Sequence, residues 1–285
     1  MIELGANHIG EIEFLCGIAK PTHGLITNIG KAHLEGFGDL EGVTKGKSEL
    51  YQYLRKEDGT AFINGDNDIL TELAEGINTV KYGSNEGNYC TGALLNSVGH
   101  LQISFNREQA DSQEINSQLI GAYNFENVLA AVCVGLYFEI PEAEIVAAVE
   151  SYLPDNSRSQ EIKTESNHVI MDAYNANPMN MMAALENFSN QIESNRMVIL
   201  GDMLELGDFA NAEHKSVVEY LRAQSFDRVI LVGEEFSKAF DMLNCEHFKN
   251  VDDAKMWLQS SPASGMNILL KGSRGIGLEA LLEVL

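Results

Sequence analysis

Short apolar runs separated by polar, glycine-bearing stretches alternate along the chain between strand-like and helix-like spacing. Ile2-Glu3-Leu4 reads as the tail of a buried strand broken at Gly5, and Ile12, Leu15, Cys16 and Ile18 follow at helical spacing. Leu25 to Ile29 has the length and composition of a second buried strand. Gly30 to Gly38 then predicts a loop, and Leu40, Val43, Leu50, Tyr51 and Leu54 predict a helix with Lys45 and Lys47 near its start. Strands are expected at Thr60 to Asn64 and Thr79 to Tyr82, with a helix over Asn67 to Ala74 between them. From Gly87 to Glu114 the alternation of Leu101, Ile103 and Phe105 predicts a peripheral antiparallel hairpin. Two helices follow, a mostly apolar one over Asn124 to Phe138 and a second over Glu142 to Leu153, stopped before Pro154.

The polar run Pro154 to Gln160 is the expected domain boundary, giving domains 1–154 and 155–285. Beyond it, strand-like runs at Val169 to Met171, Val198 to Leu200, Val229 to Val232 and Ile268 to Leu270 alternate with helical runs. The fold class is therefore α/β: a mostly parallel sheet carrying a peripheral hairpin, then a second, Rossmann-like domain.

Composition narrows the function. With 19 Lys and Arg against 42 Asp and Glu, the formal charge of −23 disfavours nucleic acid and anionic membrane as partners. A phosphate ligand would need local cations or a divalent metal. Cys16, Cys90, Cys133 and Cys245 show no paired spacing, which fits a reducing, cytoplasmic setting. The first residues lack the basic region of a signal peptide, and no apolar run reaches the roughly 18 residues of a membrane span, so membrane insertion is not expected.

Candidate chemistry collects at strand ends. His33 sits in a glycine-flanked loop and reads either as a metal ligand or catalytic group, or as a loop histidine bonded to backbone. Glu3 reads either as a carboxylate brought near that imidazole or as a solvated one. Gly42 to Ser48 approaches a phosphate-binding loop but has three residues between its glycines where the pattern requires four. Asn124 and Asn127 lie three apart on one face of a buried helix, where they could meet a purine edge, or Asn124 could cap the helix. One crevice at strand carboxyl ends could gather Asp172, Asn175, Lys271, Ser273 and Arg274. No G-x-G-x-x-G follows a strand, which argues against a dinucleotide-dependent oxidoreductase.

Four stretches, IELGANH at 2–8, TNIGKAHLEGFG at 27–38, DAYNANPMNM at 172–181, and GDMLELG at 201–207 with KGSR at 271–274, together resemble the Mur ligases. The branch most resembled joins D-alanyl-D-alanine to UDP-N-acetylmuramoyl-tripeptide. The resemblance implies ATP-driven amide bond formation through an acyl phosphate, with ATP and Mg²⁺ as cofactors and the UDP-muramoyl-peptide and D-alanyl-D-alanine as partners. By position it implies Glu3 and His33 as magnesium ligands, and Lys47 as the family's carbamylated lysine, with His33 and Lys47 also catalytic. Asn124 and Asn127 match adenine-side asparagines, although Tyr123 stands where the family commonly has His. Arg158 matches a phosphate-side arginine, and Asp172 with Tyr174 a ribose and nucleotide contact. The loops 201–207 and 271–274, with His214 nearby, would face the dipeptide, with Asn175, Asn177, Lys271, Ser273 and Arg274 as substrate-binding residues. The family's glycine-rich P-loop and its UDP-sugar domain have no counterpart in this sequence. The expectation is a chain inactive alone, or a non-catalytic nucleotide- or dipeptide-binding module.

Overall fold

Asp39 leaves the helical conformation and accepts the Gly42 N–H at 2.8 Å, fixing the start of helix α3 (Leu40–Lys56) in a computed structural model. The structure describes residues 1–107, 111–155, 157–192, 194–239 and 243–285; residues 108–110 of the expected hairpin stretch and 156 of the polar run lie outside it. Two compact units divide the chain, Met1–Tyr152 and Leu153–Leu285, and each is built on a six-stranded sheet.

In the first unit, α1 (Glu11–Ala19) is followed by β1 (His23–Leu25), the single turn α2 (Leu34–Phe37) and α3. Then come β2 (Thr60–Asn64), α4 (Asp68–Leu73), β3 (Asn78–Gly83), β4 (Cys90–Asn96), β5 (His100–Arg107) and β6 (Gln113–Ile120), with α5 (Phe125–Tyr137) and α6 (Glu142–Ser151) last. The strands lie in sequence order, parallel from β1 to β4 and antiparallel from β4 to β6. The expected hairpin is thus a three-stranded meander forming half of this one sheet. The two halves meet at a seam of two register pairs, Tyr82 with Cys90 and Gly83 with Thr91. Helix α5 covers both sides of it, and Val128, Leu129, Val132, Cys133 and Leu136 share one core with Phe62, Tyr82, Cys90, Ile103, Phe105 and Ile115.

Two strand expectations fail here. Residues 1–6 form no strand, and Ile2 is exposed; no ladder partner reaches them among the described residues, and an unpaired extended segment gains nothing from its apolar side chains. The run Leu25–Ile29 holds strand geometry only at its first residue. Its strand, β1, begins at His23 and pairs with β2 over three positions, so as an edge strand it lacks the two-sided pairing a buried strand needs.

In the second unit, β7 (Gln160–Lys163) runs antiparallel to β8 (His168–Asp172). Helix α7 (Pro178–Gln191), β9 (Arg196–Gly201), α8 (Ala210–Ala223), β10 (Arg228–Val232), β11 (Glu246–Phe248), α9 (Val251–Ser260) and β12 (Asn267–Lys271) follow. The sheet order is β11-β10-β9-β12-β8-β7, with every pair except the last parallel. Its central strands read as continuous apolar runs because both faces are covered. Val169, Met171, Met197, Ile199, Ile230, Val232, Ile268 and Leu270 pack on the α9 side, while Val198, Leu200, Leu231 and Leu269 are buried on the other face. This parallel arrangement brings the carboxyl ends of β8, β12, β9 and β10 to one edge, where their loops converge.

Candidate functional site

In the first unit, the loop before α2 is held by backbone contact. His33 takes a left-handed conformation (φ 54°), is half-buried and opens α2. Any Cβ at Gly36 would overlap the carbonyl oxygen of Asn7, so this glycine lets the segment after Glu3 and the turn after His33 touch backbone to backbone. Glu49 on α3 holds the same segment from the other side. Its carboxylate accepts the N–H groups of Gly10 at 2.6 Å and Glu13 at 3.0 Å, at the positive end of α1. Glu11 accepts those of Asn7 and His8 at 2.7 and 3.0 Å. Glu3 itself is exposed.

Lys47, half-buried on α3, donates to the Asn28 carbonyl at 2.8 Å. Burial pulls its ammonium below the ordinary lysine range. As an ammonium it offers a metal no lone pair. Among the described residues no three His, Cys, Asp or Glu side chains cluster as a metal site. Lys47 could therefore serve Mg²⁺ only if converted to an oxygen ligand, for which its desolvated amine is suited.

Asn124 departs from the capping reading, and the pair stands at the rim rather than on a buried helix face. Asn127 is exposed and Asn124 half-buried, because α5 starts at the rim of its core. Asn124 makes no side-chain cap and instead donates to the Ile120 carbonyl at 2.8 Å. Its own Oδ1 accepts from Asn127 at 3.2 Å, leaving the Oδ1 of exposed Asn127 directed outside this pair.

In the second unit, the last residues of two neighbouring parallel strands, Asp172 of β8 and Lys271 of β12, stand in register, and their side chains form a 2.6 Å ion pair. Lys271 is 1% exposed and also donates to the Asn175 carbonyl at 3.3 Å. The second Asp172 oxygen accepts the Ser159 N–H at 3.4 Å. This fixes the loop that carries Arg158, whose guanidinium lies 4.2 Å from the centre of the Tyr174 ring, with that of Arg274 5.6 Å from the same ring. Both arginines and Asn175 are exposed, and among the described residues neither guanidinium is paired with a carboxylate. Two such cations converging on one ring make a locally positive spot in a chain of charge −23.

The remaining expected residues hold the scaffold. Asn177 caps α7 by accepting the Asn180 N–H at 2.9 Å, and Asn180 returns the bond to the Asn177 N–H at 2.8 Å, with Pro178 opening the helix. Ser273 is buried; its hydroxyl accepts the Leu204 N–H at 2.9 Å and donates to the Ala176 carbonyl at 3.4 Å. His214, expected near these loops, lies behind them: it is 0% exposed and packs edge-on against Phe236. Its position on the buried side of α8 follows from Val217, Val218 and Leu221, which share that helix face. Asp202 lies in the 201–207 loop expected at the site, but the sequence did not single it out. The first residue after β9, it accepts the N–H groups of Glu235 at 2.8 Å and Phe236 at 2.9 Å, and its carboxylate lies so close to Gly233 that no Cβ would fit there. The signal was present in an acidic residue directly following a glycine at a buried strand's end.

Residues 1–135 match the Mur ligase middle domain, and residues 157–274 match the Mur ligase glutamate ligase domain. The chain belongs to the Mur ligase family. The UDP-N-acetylmuramoyl-tripeptide–D-alanyl-D-alanine ligase of Bacillus subtilis is 30% identical to this Mur ligase over 99% of the present chain and 63% of its own length. That of Escherichia coli is 31% identical over 100% of this chain and 64% of its own. The crystal structure of MurF from Acinetobacter baumannii superposes with a TM-score of 0.85 at 28% identity, covering 99% of this chain and 64% of that one. The chain thus spans less than two thirds of the length of these relatives. No described helix is long and apolar enough to cross a membrane.

Proposed function

We propose that this chain carries the middle and C-terminal portions of an ATP-dependent cytoplasmic ligase that joins D-alanyl-D-alanine to UDP-N-acetylmuramoyl-tripeptide. The observation that carries the reading is the pair of carboxylate-free guanidinium groups, Arg158 and Arg274, gathered on Tyr174 beside the Lys271–Asp172 pair. Every substrate of such a reaction carries an anionic group: a nucleotide phosphate, a peptide carboxylate and a dipeptide carboxylate.

Within this reading the exposed residues Arg158, Tyr174, Asn175 and Arg274 contact the anion, whereas Lys271, Ser273 and Asn177 keep their loops in shape. The outward Asn127 amide oxygen, oriented by Asn124, accepts from the adenine edge. Asp172 holds Lys271 and the Ser159 backbone and so sets the height of Arg158. Glu3, His33 and Lys47, the last as its carbamate, would hold Mg²⁺, which when bound neutralises charge on the transferring phosphoryl group. The lowered basicity of Lys47 supports that conversion, because only the neutral amine takes up carbon dioxide.

Calorimetric titration with ADP and Mg²⁺, and separately with D-alanyl-D-alanine, tests the reading. Wild-type chain is expected to bind at least one of the two, and Arg158→Ala with Arg274→Ala to weaken that binding at least tenfold; heat unchanged by both substitutions refutes it. ADP release in the presence of tripeptide nucleotide and dipeptide then decides between ligase and binding module. The second reading, a nucleotide- or dipeptide-binding module without turnover, rests on Lys47 standing as a hydrogen-bonded cation rather than an oxygen ligand.

A further inference from the structure

At the turn after β9 and on α8 lies a buried polar cluster that none of the roles above uses. His214 Nδ1 is 2.7 Å from the Ala210 carbonyl oxygen, which can only accept, so Nδ1 carries a proton. His214 Nε2 is 3.0 Å from the Met203 backbone nitrogen, which can only donate, so Nε2 offers a lone pair. The imidazole is therefore neutral and of one tautomer. Asp202 Oδ1 stands 3.6 Å from that same Nε2, too far and without a proton between them for a hydrogen bond. A proton arriving at Nε2 would change this at once: it would oppose the Met203 N–H and find a carboxylate beside it. The two arrangements compete for one ring nitrogen.

The cluster reaches the crevice through a short chain of bonds. Met203 is followed by Leu204, whose N–H is held by Ser273 Oγ, and the Ser273 N–H is held by the Asp202 carbonyl at 3.1 Å. Ser273 precedes Arg274 and its hydroxyl bonds the Ala176 carbonyl in the loop of Tyr174 and Asn175. From the other side, the Asp202 carboxylate holds the backbone of Glu235 and Phe236.

We infer that Asp202 and His214 form a buried latch whose neutral state fixes the turn 203–204 and Ser273, and with them the position of Arg274 in the proposed anion site. They are positioning residues, and the ligand side of this inference rests on the function proposed above. The charged groups around the imidazole are Asp202 from the turn after β9, and Glu235 and Lys238 from the segment after β10. Burial outweighs the Ala210 hydrogen bond and the two carboxylates and draws the imidazole below the ordinary histidine range, so the latch is closed at neutral pH and opens in acid.

The test follows the full chain by nuclear magnetic resonance between pH 4 and pH 8. The expected result is a neutral Nδ1–H tautomer of His214 at pH 7, with the amide signals of Met203, Leu204 and Ser273 shifting together as His214 titrates. In His214→Phe, which keeps an edge-on ring against Phe236 but no acceptor, the Met203 and Leu204 amides should exchange with solvent about tenfold faster, the loss of one net hydrogen bond, and the acid shift should vanish. D-alanyl-D-alanine, the probe used, should bind the variant about tenfold more weakly, as expected for one lost positioning bond. An Nε2–H tautomer, or amides indifferent to His214, overturns the latch; so does a variant that melts earlier while its Leu204 and Ser273 amides stay as in wild type. Should the variant fail to fold, the wild-type titration decides alone. Coupled amides in a wild-type chain that binds no dipeptide would sustain the latch and refute the ligand reading.

Discussion

The Lys271 ammonium sits 2.6 Å from the Asp172 carboxylate, each the last residue of its strand and each facing the other across parallel register. Because Lys271 is almost fully enclosed, removing one partner leaves the other charge without compensation. Lys271→Met and Asp172→Asn should each lower the unfolding free energy of the second unit by about 3–5 kcal/mol, and the double variant by less than the sum. Urea denaturation of the four proteins measures this. Additive losses would mean that the two groups are energetically independent.

Asn167 should be as sensitive, for a different reason. Its buried amide donates to the carbonyls of Ala263 and Leu285, and its Oδ1 accepts the Met266 N–H, so one side chain satisfies three backbone groups. Asn167→Ala strands the Ala263 carbonyl and the Met266 N–H, while the Leu285 carbonyl keeps the Thr164 and Ser166 hydroxyls, and should cost about 1–3 kcal/mol, with thermal unfolding of the second unit as the readout.

Lys47 is expected to behave in the opposite way. Burial lowers its folded-state pKa, so the unfolded chain holds that proton more tightly, and stability rises as pH increases through the folded-state value towards the ordinary lysine value of about 10.4. Lys47→Met should leave stability at neutral pH within about 1 kcal/mol of wild type and remove this alkaline gain, since it deletes a desolvated charge without opening a cavity. Mg²⁺-dependent ADP binding should nevertheless be lost. A large destabilisation would instead make the lysine structural.

At Gly36 a single methyl group should suffice to disturb the corner. Gly36→Ala must push α2 away from the Asn7 carbonyl, for an expected cost of about 1–3 kcal/mol, and should expose the amides of Asn7 and His8 to exchange. Unaltered exchange at those amides would show that the two segments move independently.

Much of this architecture was legible from residue order. Thr60–Asn64 matches its strand to the residue, and Asp39 and Asn67 mark helix starts through chemistry that acts within three residues. The short edge strands β7 and β11 were not read, since three or four residues with mixed burial carry no period. Ile2–Leu4 and Leu25–Ile29 misled because an apolar run reports only a tendency to be buried, while strand formation depends on a neighbour distant in sequence. The same limit applies at the site. The loops of Asp172, Asn175, Lys271 and Ser273 could be grouped from their positions after strands, but which side chains are exposed and which are spent on backbone could not. Sequence position made His214 a neighbour of the ligand, whereas helix phase turns it inward.

The narrow seam between β3 and β4 gives the first unit an uneven mechanical character. Two register pairs resist separation far less than the long ladders on either side, so cohesion between the half-sheets falls to α5, whose Leu129 presses into the space left by Gly92. Fraying of that one helix would divide a single sheet into a parallel piece and a meander, each able to open on its own schedule.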